Sequence, residues 1–599
     1  MISFLQPLAL LALAAAALPT LLHLLGRRLP PVVVFPAVRY LTATEREHSS
    51  RLRLRNLLLL VLRTLALALL VLAAARPVAQ LSGGGSHPPT AVALIVDNSL
   101  SSRAVVDGAL TLSVLRAAGR SVLLRLAPED RLWIVLADGV PRRLTRLEAQ
   151  AVLDSLRPTP LRLDLTAAVR AAAAAIAADP LPLTEVVLLS DLQASALSPQ
   201  EPLDMRVLAL EPPRAPLNRW IDSAWSQPRV WSPAGAVVAA LGGAGDGHAT
   251  TVRLAVGAND VSRAVAGAGE QVVLSGNVAA RGWATAVVQL ERDEFRADDQ
   301  RFVALNVVPP AKTMATEGAG RFVADALAVL EQGGRVSPGD AVVLSDELGP
   351  TTTIVFPPSD PVLVGALNRS LADRGISWRF GQLLEGEWAI TGAVGAAGVA
   401  AVFRRHRLLG DSRAIALAGG DAWLVREGNV VLVGSRMEVG WTDLPVSAPF
   451  VPFIDFLVNQ VAARESWVLS ATPAEVVELP AGTTALSRAG ESFAASTGRM
   501  AAPLVPGVYF LTAAGGDTIG ALELNYDVRE SRLAAADVGL LRARLASDVQ
   551  IMAARDLARE LFSAARRVNL VGLCLVLALA CVVLEFAVAS SRGAGRALR

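Results

Sequence analysis

Cysteine is nearly missing from this chain: Cys574 and Cys581 are the only two, both in one apolar run near the C-terminus. Set seven residues apart, they fall on one face of a helix. Everything before them therefore has no disulfide and no thiol nucleophile, and must be held by apolar cores. Lysine is scarcer still, with Lys312 alone. That excludes a Gly-x-x-x-x-Gly-Lys phosphate loop, and with it nucleotide hydrolysis by the chain itself. His23, His48, His87, His248 and His406 are too scattered for zinc spacing. No Gly-x-Ser-x-Gly elbow is present. His406, in "FRRHRLLG", is expected to be a surface histidine. Charged residues make up only 18% of the chain, and a formal net charge of +2 gives no case for a nucleic-acid partner.

What the chain has in quantity is apolar surface: 53% of its 599 residues are hydrophobic. That length implies several domains, and three runs approach the roughly 20 apolar residues that span a bilayer. The first is 2–25, with no cation before it and Arg27 and Arg28 after it, so an uncleaved anchor is expected rather than a signal peptide. The second is 56–75, where Arg63 is expected to snorkel to the same interface as Arg55. The third is 568–589, with Glu585 near its exit. Arg27, Arg28, Arg39, Arg46, Arg51, Arg53 and Arg55 crowd the loop between the first two runs, which the positive-inside rule makes cytoplasmic. The N-terminus and residues 77–567 then lie on the outer side of the cytoplasmic membrane, and Arg592, Arg596 and Arg599 inside. Arg566 and Arg567 run against that last step.

The expected organisation is a transmembrane helix at 1–26, an Arg-rich cytoplasmic loop at 27–55 and a second transmembrane helix at 56–76. From 88 to 212, strand-like runs such as "TAVALIV" and "TEVVLLS" alternate with helix-like ones, the pattern of a mostly parallel, doubly wound sheet. Asp97 and Asp191 follow two of those strands, at the carboxyl ends where such folds bind ligands. Residues 213–310 are rich in Gly, Pro and short β runs, as in a β-sandwich, and 311–465 return to α/β alternation. Within the former, "RDEFRADDQRF" could offer cations a cluster of carboxylates, Asp293, Glu294, Asp298 and Asp299, but is expected to be a solvated turn. A β-rich domain at 466–530, one long amphipathic juxtamembrane helix at 531–567 and a third transmembrane helix at 568–589 complete the assignment.

Two stretches carry a resemblance. "RRLPPVVVFPAVRYL" followed by "LRNLLLLVLR" and "ARP" resembles the N-terminal membrane region of bacterial aerotolerance regulator (Bat-type) proteins, and "WTDLPVSAPFVPFIDFL" is similar to a later part of longer members. The segment after the second run resembles a von Willebrand factor A domain. That resemblance implies a Mg²⁺ site built from Asp-x-Ser-x-Ser, a Thr and a distant Asp, onto which Asp97, Ser99, Ser101 and Asp191 map. Such an ion takes oxygen ligands octahedrally and keeps several waters, one of which an acidic partner group can replace. Leu163 stands where the Thr is usual, so the ligand set is incomplete unless Asp164 or Thr166 moves in. Either a metal site or a pair of polar strand ends follows. The 311–465 segment resembles a class I amidotransferase-like fold, without the thiol that activity requires.

Two functions follow. The first is a non-catalytic, membrane-anchored interaction scaffold. The resemblance gives it other von Willebrand A membrane proteins and a MoxR-type AAA+ ATPase as partners. Being cytoplasmic, that ATPase would touch only 26–55 or the C-terminal tail. The alternative is an exported hydrolase or carbohydrate-handling enzyme using Asp340, Asp346 and Glu347.

Overall fold

The computed structural model describes residues 2–4, 6–17, 44–80, 87–232, 234–244, 248–279, 281–392, 398, 400–463, 466–495, 498–563 and 567–590. The end of the first apolar run, most of the Arg-rich loop and the tail with Arg592, Arg596 and Arg599 lie outside these residues. The chain opens with a short strand, β1 (Ile2–Phe4), and an eleven-residue 3-10 helix, Pro7–Ala17. Helix α1 (Thr44–Ala74) starts inside the stretch read as a loop, so residues 44–55 are helical. Strand β2 (Pro77–Gln80) then pairs with β1.

The next unit is built on β3 (Thr90–Val96), whose seven residues are all buried. Its side chains alternate between two cores: Ala91, Ala93 and Ile95 face one, Val92, Leu94 and Val96 the other. Only a strand covered on both faces reads as such an unbroken apolar run. Helix α2 (Thr111–Leu123) covers one face with Leu112, Leu115, Ala118 and Val122 at helical spacing. Strand β4 (Arg131–Val135) lies parallel to β3. Helix α3 (Leu165–Ala177) covers the other face, its first turn capped by Asp164. Strands β5 (Leu183–Leu189) and β6 (Leu203–Leu210) extend the sheet in parallel on the far side of β3.

The chain then leaves this sheet for more than three hundred residues. Strands between 218 and 307, antiparallel except where Val230–Trp231 runs parallel to Gln300–Val307, form a three-stranded and a five-stranded sheet around one shared core that includes Trp231, Val252, Leu274 and Leu305. A nine-stranded mixed sheet spans Ala311–Val433, with the helix Arg321–Gln332 against one of its cores and Val364–Asp373 against another. A five-stranded sheet between Trp467 and Leu524 docks onto the strand Gln300–Val307, where Ala304, Val508 and Ala521 meet. The backbone N–H of Ala304 donates to Glu523 Oε1 at 2.8 Å, and the Asn525 amide exchanges two hydrogen bonds with Phe302.

The return of the chain differs from the sequence reading. In place of one long helix over 531–567, the chain makes two short helices, Val538–Arg544 and Ala554–Glu560, with strand β7 (Ala546–Met552) between them. β7 pairs in parallel with β6 and completes a six-stranded sheet in the order β7–β6–β5–β3–β4–(Arg142–Leu144), with only the last strand antiparallel. Leu541, Leu545 and Val549 join one core of that sheet, and Leu557, Leu561 and Phe562 the other. The first α/β unit is thus assembled from two distant stretches, with the intervening sheets inserted between them.

Strand β8 (Arg567–Asn569) pairs with β2, so β1, β2 and β8 form one small sheet. It sits at the mouth of two apolar helices, α1 and α4 (Val571–Ser590). Among the described residues these are the two helices long and apolar enough to cross a membrane, over Asn56–Ala74 and Val571–Ser590. Arg63, expected to snorkel to the interface of Arg55, has a partner on the other helix: its Nε donates to Glu585 Oε1 at 2.9 Å.

Candidate functional site

The carboxyl ends of β3 and β5 place Asp97 and Asp191 side by side. The backbone N–H of Asp97 continues the ladder to the Leu189 carbonyl at 2.9 Å. Its side chain then accepts from the Ser99 N–H at 3.0 Å through Oδ1, and from Ser190 Oγ at 2.6 Å through Oδ2. Asn98 locks this loop in place: its Nδ2 donates to the Arg157 carbonyl and its Oδ1 accepts from the Ala137 N–H. Ser99 Oγ and Ser101 Oγ lie 3.1 Å apart, both buried. Asp191 accepts from Gln193 Nε2 at 3.0 Å. The next residue, Leu192, is fully buried with φ of +54°. A β- or γ-branched residue held there is strained, and such strain persists where the surroundings enforce it.

The structure adds a residue that nothing in the local sequence announces. Glu530, 2% exposed, enters from the 3-10 turn Val528–Ser531 and accepts from the Ser101 N–H at 2.9 Å through Oε2. Three carboxylates now share one pocket. Burial, followed by repulsion from Asp97, pushes Asp191 up to about 6 and Glu530 up to about 8. Burial likewise raises Asp97. Among the described residues no Arg or His nitrogen bonds any of the three. Two hydroxyls and three carboxylates are hard oxygen donors of the kind Mg²⁺ takes, and their unbalanced charge fits a divalent cation. Asp97, Ser99, Ser101, Asp191 and Glu530 would hold it.

The residues considered as replacements for the missing Thr are occupied elsewhere. Leu163 is 2% exposed and belongs to the core under α3. Asp164 accepts from the Ala167 N–H at 2.9 Å and from Ser198 Oγ, while Thr166 Oγ1 accepts from the Ser198 N–H at 3.1 Å. Neither joins the Asp97 cluster.

Two further expectations are overturned. The acidic stretch 293–299 is no solvated turn, because Asp298 and Asp299 are buried. His406 is not on the surface either: it is buried between Phe380 and Trp441, with Nδ1 2.9 Å from the Gly381 carbonyl oxygen. Of the hydrolase candidates, Asp346 and Glu347 line a cleft of about 400 Å³ with Asp373 and Arg374, and Asp340 is exposed apart from it.

Residues 1–77 match the family model described as aerotolerance regulator N-terminal, which bears out the resemblance read there. No curated protein sequence matches the chain. Among solved structures it is similar to the vWF domain of the type V pili tip protein Mfa5 from Porphyromonas gingivalis, at 20% identity and a TM-score of 0.16, over 20% of this chain and 42% of that one. It is similar at the same identity and TM-score to the three N-terminal domains of Mfa5, over 20% of this chain and 22% of that one. The chain therefore spans less than half the length of either Mfa5 structure. A von Willebrand factor type A structure from Catenulispora acidiphila is similar at 11% identity and a TM-score of 0.17, over 37% of this chain and 67% of that one.

The outer faces of α1 and α4 complete the description. Leu57, Val576 and Phe586 are 60%, 65% and 75% exposed, and only 11% of either span is buried by the rest of the chain. Helices that apolar and that uncovered need lipid around them. With the N-terminal match, they mark a membrane protein.

Proposed function

We propose that this chain is a membrane-anchored interaction protein, not an enzyme, whose von Willebrand A-like domain on the outer side of the cytoplasmic membrane holds Mg²⁺ through Asp97, Ser99, Ser101 and Asp191. The chain's own Glu530 takes the position that an acidic group of a partner would otherwise fill. The hydrogen bond from the Ser101 N–H to Glu530 Oε2 carries this reading. The ion would hold the Ser99–Ser101 loop against Asp191, and a partner carboxylate would bind by displacing Glu530.

The small β1–β2–β8 sheet supports the orientation. It gathers the N-terminus, the end of α1 and the start of α4 at one side of the bilayer. With the Arg-rich loop in the cytoplasm, as the positive-inside rule has it, that side is the outer one. A MoxR-type ATPase, the partner implied by the N-terminal resemblance, would reach only this loop and the C-terminal tail. Other von Willebrand A membrane proteins are the partners expected on the outer side.

The test is a Mg²⁺ titration of the full chain in detergent, followed by thermal melting, since a ligand bound only by the folded state raises Tm. The wild type should be stabilised saturably and Asp97→Ala should not. Glu530→Ala should weaken the apparent affinity about tenfold or more, because an oxygen ligand is lost. Equal responses from all three proteins would sink the reading.

A further inference from the structure

Away from the Asp97 site, the turn joining the strands Gly282–Gln289 and Gln300–Val307 folds Asp293, Asp298 and Asp299 together. One carboxylate oxygen from each lies within 4.8 Å of the others. Asp293 is positioned by backbone donors, the N–H of Phe295 to Oδ1 and that of Arg219 to Oδ2, both at 2.8 Å. Asp298 Oδ2 accepts from Asn218 Nδ2 at 2.8 Å, and the same Nδ2 donates to the Ser531 carbonyl at 2.9 Å.

Beyond these, the Ser531 hydroxyl favours the charged form of Asp298 against its burial. Asp298 Oδ1, both carboxylate oxygens of Asp299 and the amide oxygen of Asn218 have no hydrogen-bond partner. Yet Asp298, Asp299 and Asn218 are 7%, 5% and 1% exposed. A buried acceptor without a partner is destabilising, and an unpaired carboxylate more so. Nearby guanidinium groups do not meet the need. Arg219, Arg292 and Arg296 lower Asp299 only at a distance. Arg214 is committed to Asp107 and Glu294. Burial raises Asp298 well above the carboxylate range and Asp299 to about 7. What the patch lacks is a positive charge that accepts oxygen ligands only.

We propose that Asp293, Asp298 and Asp299, beside the Asn218 amide, form a second cation site of the calcium class. Ca²⁺ takes six to eight oxygen ligands at about 2.4 Å in adaptable geometry, which suits three carboxylates beside an amide carbonyl, whereas Mg²⁺ demands a near-ideal octahedron and keeps several of its waters. The site sits where three parts of the chain meet. Phe295 packs with Leu100, Ala104 and Leu533, and the Val105 N–H donates to the Glu294 carbonyl at 2.9 Å. Through Asn218 the cluster also holds Ser531, the residue after Glu530. A cation here fastens the turn to the loop that carries Ser99 and Ser101 and to the segment that inserts Glu530.

The test compares melting of the full chain in detergent with EDTA and with Ca²⁺ raised stepwise to about 5 mM, above the millimolar dissociation constants of weak extracellular sites. Wild type should gain several degrees in Tm. The Asp298→Asn/Asp299→Asn variant should lose the gain while remaining folded without Ca²⁺, because each new amide supplies donors to the orphaned acceptors. Asp299→Asn alone provides the same comparison if the double variant is unstable. Asp97→Ala should keep the full response. A wild type indifferent to Ca²⁺, Asn variants that respond like wild type, or a response abolished by Asp97→Ala would each overturn the proposal.

Discussion

Glu185 shows at the residue scale how burial sets charge in this fold. It is 2% exposed on β5, and its nearest cation, Arg206 Nη1 at 3.4 Å, is shared with Glu560. Burial raises it from the ordinary 4.5 to about 7, with Arg206 opposing and Glu560 reinforcing the shift. Between those values the folded chain binds a proton that the unfolded chain has released. The contribution of Glu185 is therefore fully present below about pH 4.5 and is lost as pH rises through 7. A shift of that size corresponds to about 3 kcal/mol. Glu185→Gln should match wild type at pH 4.5 and exceed it in stability by up to that amount at pH 8, as measured by chemical denaturation at both pH values. A variant that tracks wild type throughout would mean that Glu185 is ionised in the folded state.

The element that sequence patterning misjudges is β7. Residues 531–567 carry apolar side chains at intervals that suit a long helix, but Asp537 caps a helix that ends at Arg544, and Ala546–Met552 extends along β6 instead. Tertiary pairing outweighs the local pattern, because β6 would otherwise be a bare parallel edge. The same distance explains what is legible at the site. Asp97, Ser99 and Ser101 stand at alternate positions of one short stretch and Asp191 follows a recognisable strand, so a short motif reveals them. Glu530 is 429 residues from Ser101 and has no local signature. Asp298 and Asp299 sit in a stretch whose arginines suggest solvent, and only the packing of Phe295 shows that the turn is buried. The fragment 82–212 lacks β7 and should be insoluble or poorly folded. Residue 212 joined to 527 by a short Gly/Ser linker should restore a cooperative melt, because Asn218 and Ser531 already touch. A cooperative melt from the fragment alone would show β7 to be dispensable.

At the scale of the whole molecule, the chain enters and leaves the large part between its two apolar helices at one point. Gln80 at the end of β2 pairs with Arg567 at the start of β8, directly above α1 and α4. Those helices pack along each other, and the Arg63–Glu585 pair ties them together. A charge within the hydrocarbon region costs about 2.5–3.5 kcal/mol at the centre of a helix, and its partner offsets part of that cost. Removing one member leaves the other to bear the cost alone. Removing both eliminates it. Arg63→Leu and Glu585→Leu should each reduce the amount of chain recovered from membranes and lower its Tm in detergent, while Arg63→Leu/Glu585→Leu should recover most of both. Additive losses in the double variant would instead mean that each side chain reaches its own interface, as the snorkelling expected of Arg63 from sequence implies. The β1–β2–β8 sheet would then be left as the principal clasp holding the two spans together.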